Sequence, residues 1–118
     1  MDSMSKYLGE WGETAAAKYL ERQGLVIVER NYRCRLGEID LIAKDGSDWV
    51  FIEVKTRRSM IYGHPCEAVT GKKQGHVRCA AEHYALTHDL FGKNLRIDVV
   101  EILKTNEGSW LNHIKNAF

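Results

Sequence analysis

An acid and a base stand one residue apart in the run FIEVKTR, residues 51–57: Glu53 and Lys55. Side chains alternate across a β-strand, so Phe51, Glu53, Lys55 and Arg57 would share one face and Ile52 and Val54 the other. The same alternation in GEIDLIA, residues 37–43, sets Glu38, Asp40 and Ile42 opposite Ile39, Leu41 and Ala43. A short turn, DGSD, joins the two runs, so Asp40 and Glu53 can be neighbours in an antiparallel hairpin. Like charges set opposite each other repel. A divalent cation relieves that repulsion: two carboxylates, a backbone carbonyl such as that of Val54, and waters suit Mg²⁺ or Mn²⁺. Lys55, beyond Glu53 on the same face, can hold or polarise a water there. This is apparatus for hydrolysing a phosphodiester: an activated water, charge neutralisation, and a cation near developing negative charge.

A plainer alternative stands beside it. A surface hairpin could carry Glu53 and Lys55 as an exposed ion pair worth about a few tenths of a kcal/mol. A third acid bears on the choice. Residues 5–23 read as a helix that Ser5 can cap and Gly24 stops, with Leu8, Trp11, Ala15 and Tyr19 at helical spacing. Glu10 and Glu21 point away from that stripe. Glu13 lies on its shoulder, between Gly9, Ala16 and Leu20, where it can reach over a sheet edge or serve as an ordinary boundary residue.

The elements that must position these groups follow from pattern. LVIVERNYR (25–33), GEIDLIAK (37–44) and WVFIEVKTR (49–57) read as three strands, rich in β-branched and aromatic residues. SMIYGHP (59–65) reads as a loop. A second helix runs from Cys66 or Glu67 to His88, with Ala68, Val69, Val77, Ala80, Ala81 and Tyr84 as core contacts. LRIDVVEIL (95–103), the turn KTNEGS and WLNHI (110–114) close the chain. The order αβββαββ, without a repeat or linker, describes one α/β domain over 1–118, a mixed sheet with helices packed on it.

Composition agrees. The 118 residues are 44% hydrophobic and 28% charged, the balance of a soluble globular chain. No apolar run approaches the roughly 20 residues of a membrane span, and the N-terminus lacks a signal-peptide core. Cys34, Cys66 and Cys79 form no CxxC pair, which argues against a disulfide framework or structural zinc and for the cytoplasm. Formal net charge is only +1, but bases cluster: Arg33 and Arg35; Lys55, Arg57 and Arg58; Lys72, Lys73 and Arg78. Such clusters are solvated faces or phosphate contacts. The five histidines form no metal-ligand spacing such as HExxH and most read as surface residues, while His64, in the loop after KTRR, can sit near the site. Asp98 and Glu101 read as structural, and the cysteines as small core residues.

Taken together, GEWGETAAAKYLERQGLVIVERNYRCRLGEIDLIAKDG, WVFIEVKTRR, YGHPCEAV and RIDVVEI resemble the YraN family of small bacterial proteins, over roughly residues 5–105. That family is similar to archaeal Holliday-junction resolvases within the restriction-endonuclease-like superfamily, whose signature is PD-(D/E)xK. The resemblance implies an αβββαβ core around a central mixed sheet flanked by helices. It carries Asp40 to the first acid of the motif, Glu53 and Lys55 to its ExK, and Glu13 to a helical acid that assists metal or water binding. Ile39 replaces the motif's proline. Where some relatives place Gln and Tyr four apart on the later helix, this chain has Gln74 and Arg78.

The reading that results is a Mg²⁺- or Mn²⁺-dependent endonuclease acting on DNA, branched or distorted forms included. Asp40, Glu53, Glu13 and the Val54 carbonyl are its metal ligands, Lys55 orients water, and Arg33, Arg35, Arg57, Arg58, Lys72 and Lys73 contact phosphates. Resolvase-like relatives cut paired strands symmetrically, so a homodimer is expected with it. Two rivals remain: a nucleic-acid-binding module that keeps the fold without cutting, and an interaction scaffold presenting Trp49, Phe91 and Trp110.

Overall fold

Alternating apolar residues in three consecutive runs build an antiparallel meander: β1 (Val26–Cys34), β2 (Gly37–Asp45) and β3 (Asp48–Arg57). The computed structural model describes residues 3–58 and 71–118. Before the meander comes α1 (Ser3–Arg22); after it come α2 (Gly71–Thr87), β4 (Leu95–Thr105) and β5 (Gly108–Ile114). The sheet order is β1-β2-β3-β4-β5, with β3 and β4 parallel and every other pair antiparallel. Parallel neighbours need a long crossover, and α2 lies within it. The element order is the one expected from the sequence. No helix among the described residues is long and apolar enough to cross a membrane.

Each face of the sheet buries its own cluster. On one side Ala16, Ala17 and Leu20 of α1 pack against Leu41, Ala43, Val50, Ile52, Val100 and Ile102. On the other, Val77, Ala80, Ala81 and Tyr84 of α2 pack against Ile42, Phe51 and Ile97. The four α2 residues are those expected. Ala68, Val69, His64, Cys66 and the loop 59–65 lie outside the described residues.

Two expectations need correction. The α1 stripe is rotated: Gly12, Ala16 and Leu20 face the sheet, while Trp11, Ala15 and Tyr19 are only half-buried. The cause is close approach, because a Cβ at Gly12 would collide with Thr56 Oγ1. A glycine invisible to an apolar count makes the tightest contact, and the rotation carries Glu13 toward the sheet. Cys79 is exposed rather than core. Of the three apolar residues offered as a partner surface, Trp49 is half-buried against Tyr84 on the α2 side with Lys44 over its ring, while Phe91 and Trp110 are exposed.

Among the histidines His113 lies inside, its side chain only 5% exposed. Its Nε2 lies 2.7 Å from Asp98 Oδ2, and Asp98 is fully buried. The same carboxylate accepts from Arg96 Nε at 3.1 Å and from the Asn116 amide at 3.1 Å, while Arg96 Nη1 donates to Asp45 at 3.0 Å. Burial works against ionisation, but the hydrogen bonds from His113 and Arg96 outweigh it and hold Asp98 below the usual carboxylate range. The network ties the C-terminal residues to β4 and to the β2–β3 turn, a structural role as expected. Asp98→Ala would leave Arg96 without its buried counter-ion and His113 without its hydrogen-bond partner, at a cost of about 3–5 kcal/mol. The expected fall in Tm is roughly 10–20 °C, read by thermal melting; a fall of a degree or two would mean that Asp45 and Asp48 suffice for Arg96.

Candidate active site

The β2–β3 ladder runs from Asp45↔Asp48 to Leu41↔Ile52 and stops. One more step in that register would set Asp40 opposite Glu53. Instead Asp40 Oδ2 accepts the Val54 amide at 2.8 Å, a side chain standing where the partner strand's carbonyl would be. Alternation breaks at the same place. Leu41 packs on the α1 side, yet Ile39 packs with Ile42 on the α2 side. Asp40 therefore points into the fork between the strands rather than standing on one face with Glu38 and Ile42. Sequence alternation could not show this, because it assumes an unbroken ladder.

Across from Asp40 on β1, between the pairs Arg30↔Leu41 and Tyr32↔Ile39, lies Asn31. Its φ is 55°, left-handed backbone that few non-glycine residues adopt. Its side chain hydrogen-bonds Glu13. This residue went unnoticed in the sequence; the available signal was an asparagine, a type tolerant of that conformation, inside a strand otherwise rich in β-branched residues. Arg30 adds a second hold on the helix, with Nη2 3.9 Å from Glu13 Oε1 and 3.1 Å from Thr14 Oγ1.

Glu53 is 5% exposed, and its Oε1 is buried with no hydrogen-bond partner. Its Oε2 lies 3.4 Å from Lys73 Nζ of α2. Burial, then the neighbouring Asp40 charge, push the Glu53 carboxyl up to about 8, against the pull of Lys73. Asp40 is also raised by burial, though the Val54 amide and a hydrogen bond with Glu53 hold it down. Burial thus raises both acids, and the Asp40 charge raises Glu53 further. Glu13 is raised by burial and by the Asp40 charge, with Asn31 and Arg30 opposing. The Asp40 charge acts on both Glu53 and Glu13.

Val54 and Thr56 face α1, so Lys55 projects with Glu53 toward the α2 side, as alternation required. Lys55 is half-buried and stands beside Glu101 of β4 in the parallel register. The exposed Glu53–Lys55 pair of the plainer alternative does not form: Glu53 is buried and its cation is Lys73. Glu101 is buried and accepts Asn112 Nδ2 at 3.0 Å. Of the bases, Arg33, Arg35 and Lys73 line one cavity, and Arg33 Nε pairs with Glu38 at 3.2 Å. Lys72 is exposed at the start of α2, while Arg57 and Arg58 lie apart at the end of β3. Among the described residues no group of three or more His, Cys, Asp or Glu side chains is placed to hold a metal ion. An ion here would rest on Asp40 and Glu53, completed by backbone and water.

Fold and site together define a small α/β protein, a five-stranded mixed sheet with two helices and a buried Glu53 beside the half-buried Asp40 where its first hairpins open. The profile of the Uncharacterised protein family UPF0102 matches residues 12–102, and the chain belongs to that family, the YraN family of the expected resemblance. It is 48% identical over 102 residues to a UPF0102 protein of Beutenbergia cavernae, covering 86% of each chain. It is 47% identical over 115 residues to one of Alkaliphilus metalliredigens, covering 98% of this chain and 100% of the relative. A Caldicellulosiruptor saccharolyticus relative is 46% identical over 113 residues, covering 94% of this chain and 96% of its own.

Proposed function

We propose that the protein is a Mg²⁺- or Mn²⁺-dependent nuclease that hydrolyses DNA phosphodiesters, branched or distorted DNA included, on a restriction-endonuclease-like αβββαβ core. The observation that carries this reading is the buried Glu53 beside Asp40, with one carboxylate oxygen left unpartnered. A buried, unsatisfied oxygen costs stability unless something supplies its partner. The donor set fits a hard, oxygen-preferring cation, held by Asp40, Glu53 and the Val54 carbonyl with Glu13 in support. When bound, such a cation neutralises phosphate charge and acidifies a nearby water.

The chain's own residues do the rest. Asp40 is kept in place by the Val54 amide. Lys55 orients the attacking water and offsets charge building on the phosphate oxygens. Glu13, anchored through Asn31 and Arg30, borders that water. Lys73 is the resident counter-ion of Glu53 and turns toward phosphate once that carboxylate is otherwise neutralised.

The test is cleavage of single-stranded, duplex and four-way-junction DNA with Mg²⁺ or Mn²⁺ and with EDTA. Metal-dependent cutting is expected. DNA binding that persists in EDTA with no cutting under any condition would favour the non-cleaving module, and neither binding nor cutting would favour the scaffold. Light scattering on the same samples tests the homodimer. Binding should also weaken steeply with salt, because Lys and Arg contacts release condensed counterions, with a log–log slope near −0.9 per phosphate neutralised. Arg57→Ala/Arg58→Ala should flatten that slope by about two contacts in salt titrations of labelled DNA. An unchanged slope would remove the end of β3 from the interface.

A further inference from the structure

Beside the acid pair lies a cavity of about 400 Å³, walled by Arg33, Cys34, Arg35, Gly37, Glu38, Lys73 and His76. It sits between the β1–β2 turn and the first turns of α2. A tight contact fixes its wall, since a Cβ at Gly37 would lie 2.6 Å from the His76 carbonyl oxygen. Three bases and an imidazole face one volume, and the single acid among them, Glu38, is already paired with Arg33 at 3.2 Å. Lys73 belongs to both places, lining the cavity and reaching Glu53 at 3.4 Å. The cavity is therefore contiguous with the candidate site. Its volume falls near the lower end of small-ligand sites, roughly 300–1,000 Å³, and cannot admit a duplex whose major groove alone is about 12 Å wide.

We propose that this cavity is a discrete subsite for one phosphate group of a nucleic-acid strand, with Arg35, Lys73 and His76 as its donors. Assigning that phosphate to the strand being cut rests on the nuclease reading; the anion site itself does not. A guanidinium offers phosphate two parallel N–H donors, and the imidazole and ammonium add directional ones. The phosphate has two sources, a strand end or the backbone one nucleotide from the scissile bond. His76, read from the sequence as a surface histidine, is the residue this assignment adds.

The probe is a set of 3′-labelled tetranucleotides with a 5′-phosphate or a 5′-hydroxyl, measured by fluorescence anisotropy in EDTA, with inorganic phosphate as competitor. Arg35 and His76 are both exposed, so Arg35→Ala/His76→Ala should keep the wild-type circular dichroism and melting curve. Expected are competition by inorganic phosphate in the wild type, and roughly tenfold weaker binding with that competition lost in the double variant. A preference for the 5′-phosphate identifies a strand end as the source; equal affinity with competition intact identifies the backbone. Equal binding and competition in wild type and double variant overturn the proposal. As a second measurement, the wild-type His76 imidazole resonance should move on titration with inorganic phosphate, and an unmoved resonance overturns it equally. The wild type separates the two readings. Phosphate competition in a wild type that never cleaves DNA with Mg²⁺ or Mn²⁺ sinks the nuclease and keeps the subsite; cleavage with no phosphate competition does the reverse.

Discussion

Asp40→Asn and Glu53→Gln are each expected to reduce metal-dependent DNA cleavage to background, at least ~10³-fold, while leaving the metal-free fold as stable as the wild type or more so. The two halves of that expectation share one cause. In the wild type burial and the Asp40 charge both oppose ionisation of Glu53 at the fork, so a neutral amide at either position avoids that cost in the absence of a cation. The same change removes a ligand. Mg²⁺ or Mn²⁺ at one hundred times its Kd should stabilise the wild type by about 2.7 kcal/mol through mass action, and either variant by less. Lys55→Ala should lower cleavage by roughly 10²–10⁴-fold, the usual scale for a residue that positions or moves a proton, with the metal-induced shift in Tm kept. Melting curves in EDTA and in millimolar metal, alongside the cleavage assay, separate these outcomes. An identical metal-induced shift in wild type, Asp40→Asn and Glu53→Gln would mean these acids hold no ion.

What could be read from the sequence and what could not divides along a physical line. Strands β1 to β4 and the core of α2 were legible because alternation and helical spacing are local, and because Val77, Ala80, Ala81 and Tyr84 repeat at the helical period. The nearness of Asp40 and Glu53 was legible too, since a short turn leaves the hairpin little choice of register. The detail that makes them a site was not. Asp40 enters the fork because the ladder ends at Leu41, and Asn31 adopts a left-handed φ across from it; both depend on three strands at once. Lys73 was visible as a base but not as the partner of Glu53, because a parallel crossover brings α2 back over β2 from 20 residues downstream. The α1 stripe was misplaced for a different reason. Burial there is set by how closely the helix approaches Thr56, and the residue allowing it, Gly12, carries no side chain to count.

In EDTA the wild type should lose stability as pH rises from about 5 to about 8, and Glu53→Gln should lose much less. In the folded protein Glu53 keeps its proton up to about 8, whereas its ordinary value is 4.5. Between those values the folded state binds more protons than the unfolded chain, so the stability of unfolding falls with pH. The contribution is whole below pH 4.5 and is lost as pH rises through 8. Glu13 and Asp40, also raised, act in the same direction. Asp98 acts oppositely: its carboxyl is lowered, so its contribution is present above its ordinary value of 3.8 and fails only in acid, below this window. At about 1.4 kcal/mol per unit, the Glu53 shift corresponds to roughly 3–5 kcal/mol across the window. Urea unfolding at pH 5 and pH 8 measures it directly. Millimolar Mg²⁺ should flatten the wild-type slope, because a cation at the fork competes with the proton and favours the ionised pair. Equal slopes for wild type and Glu53→Gln in EDTA would place the proton elsewhere. A wild-type slope untouched by Mg²⁺ or Mn²⁺ would leave the acid pair in place and remove the metal from it.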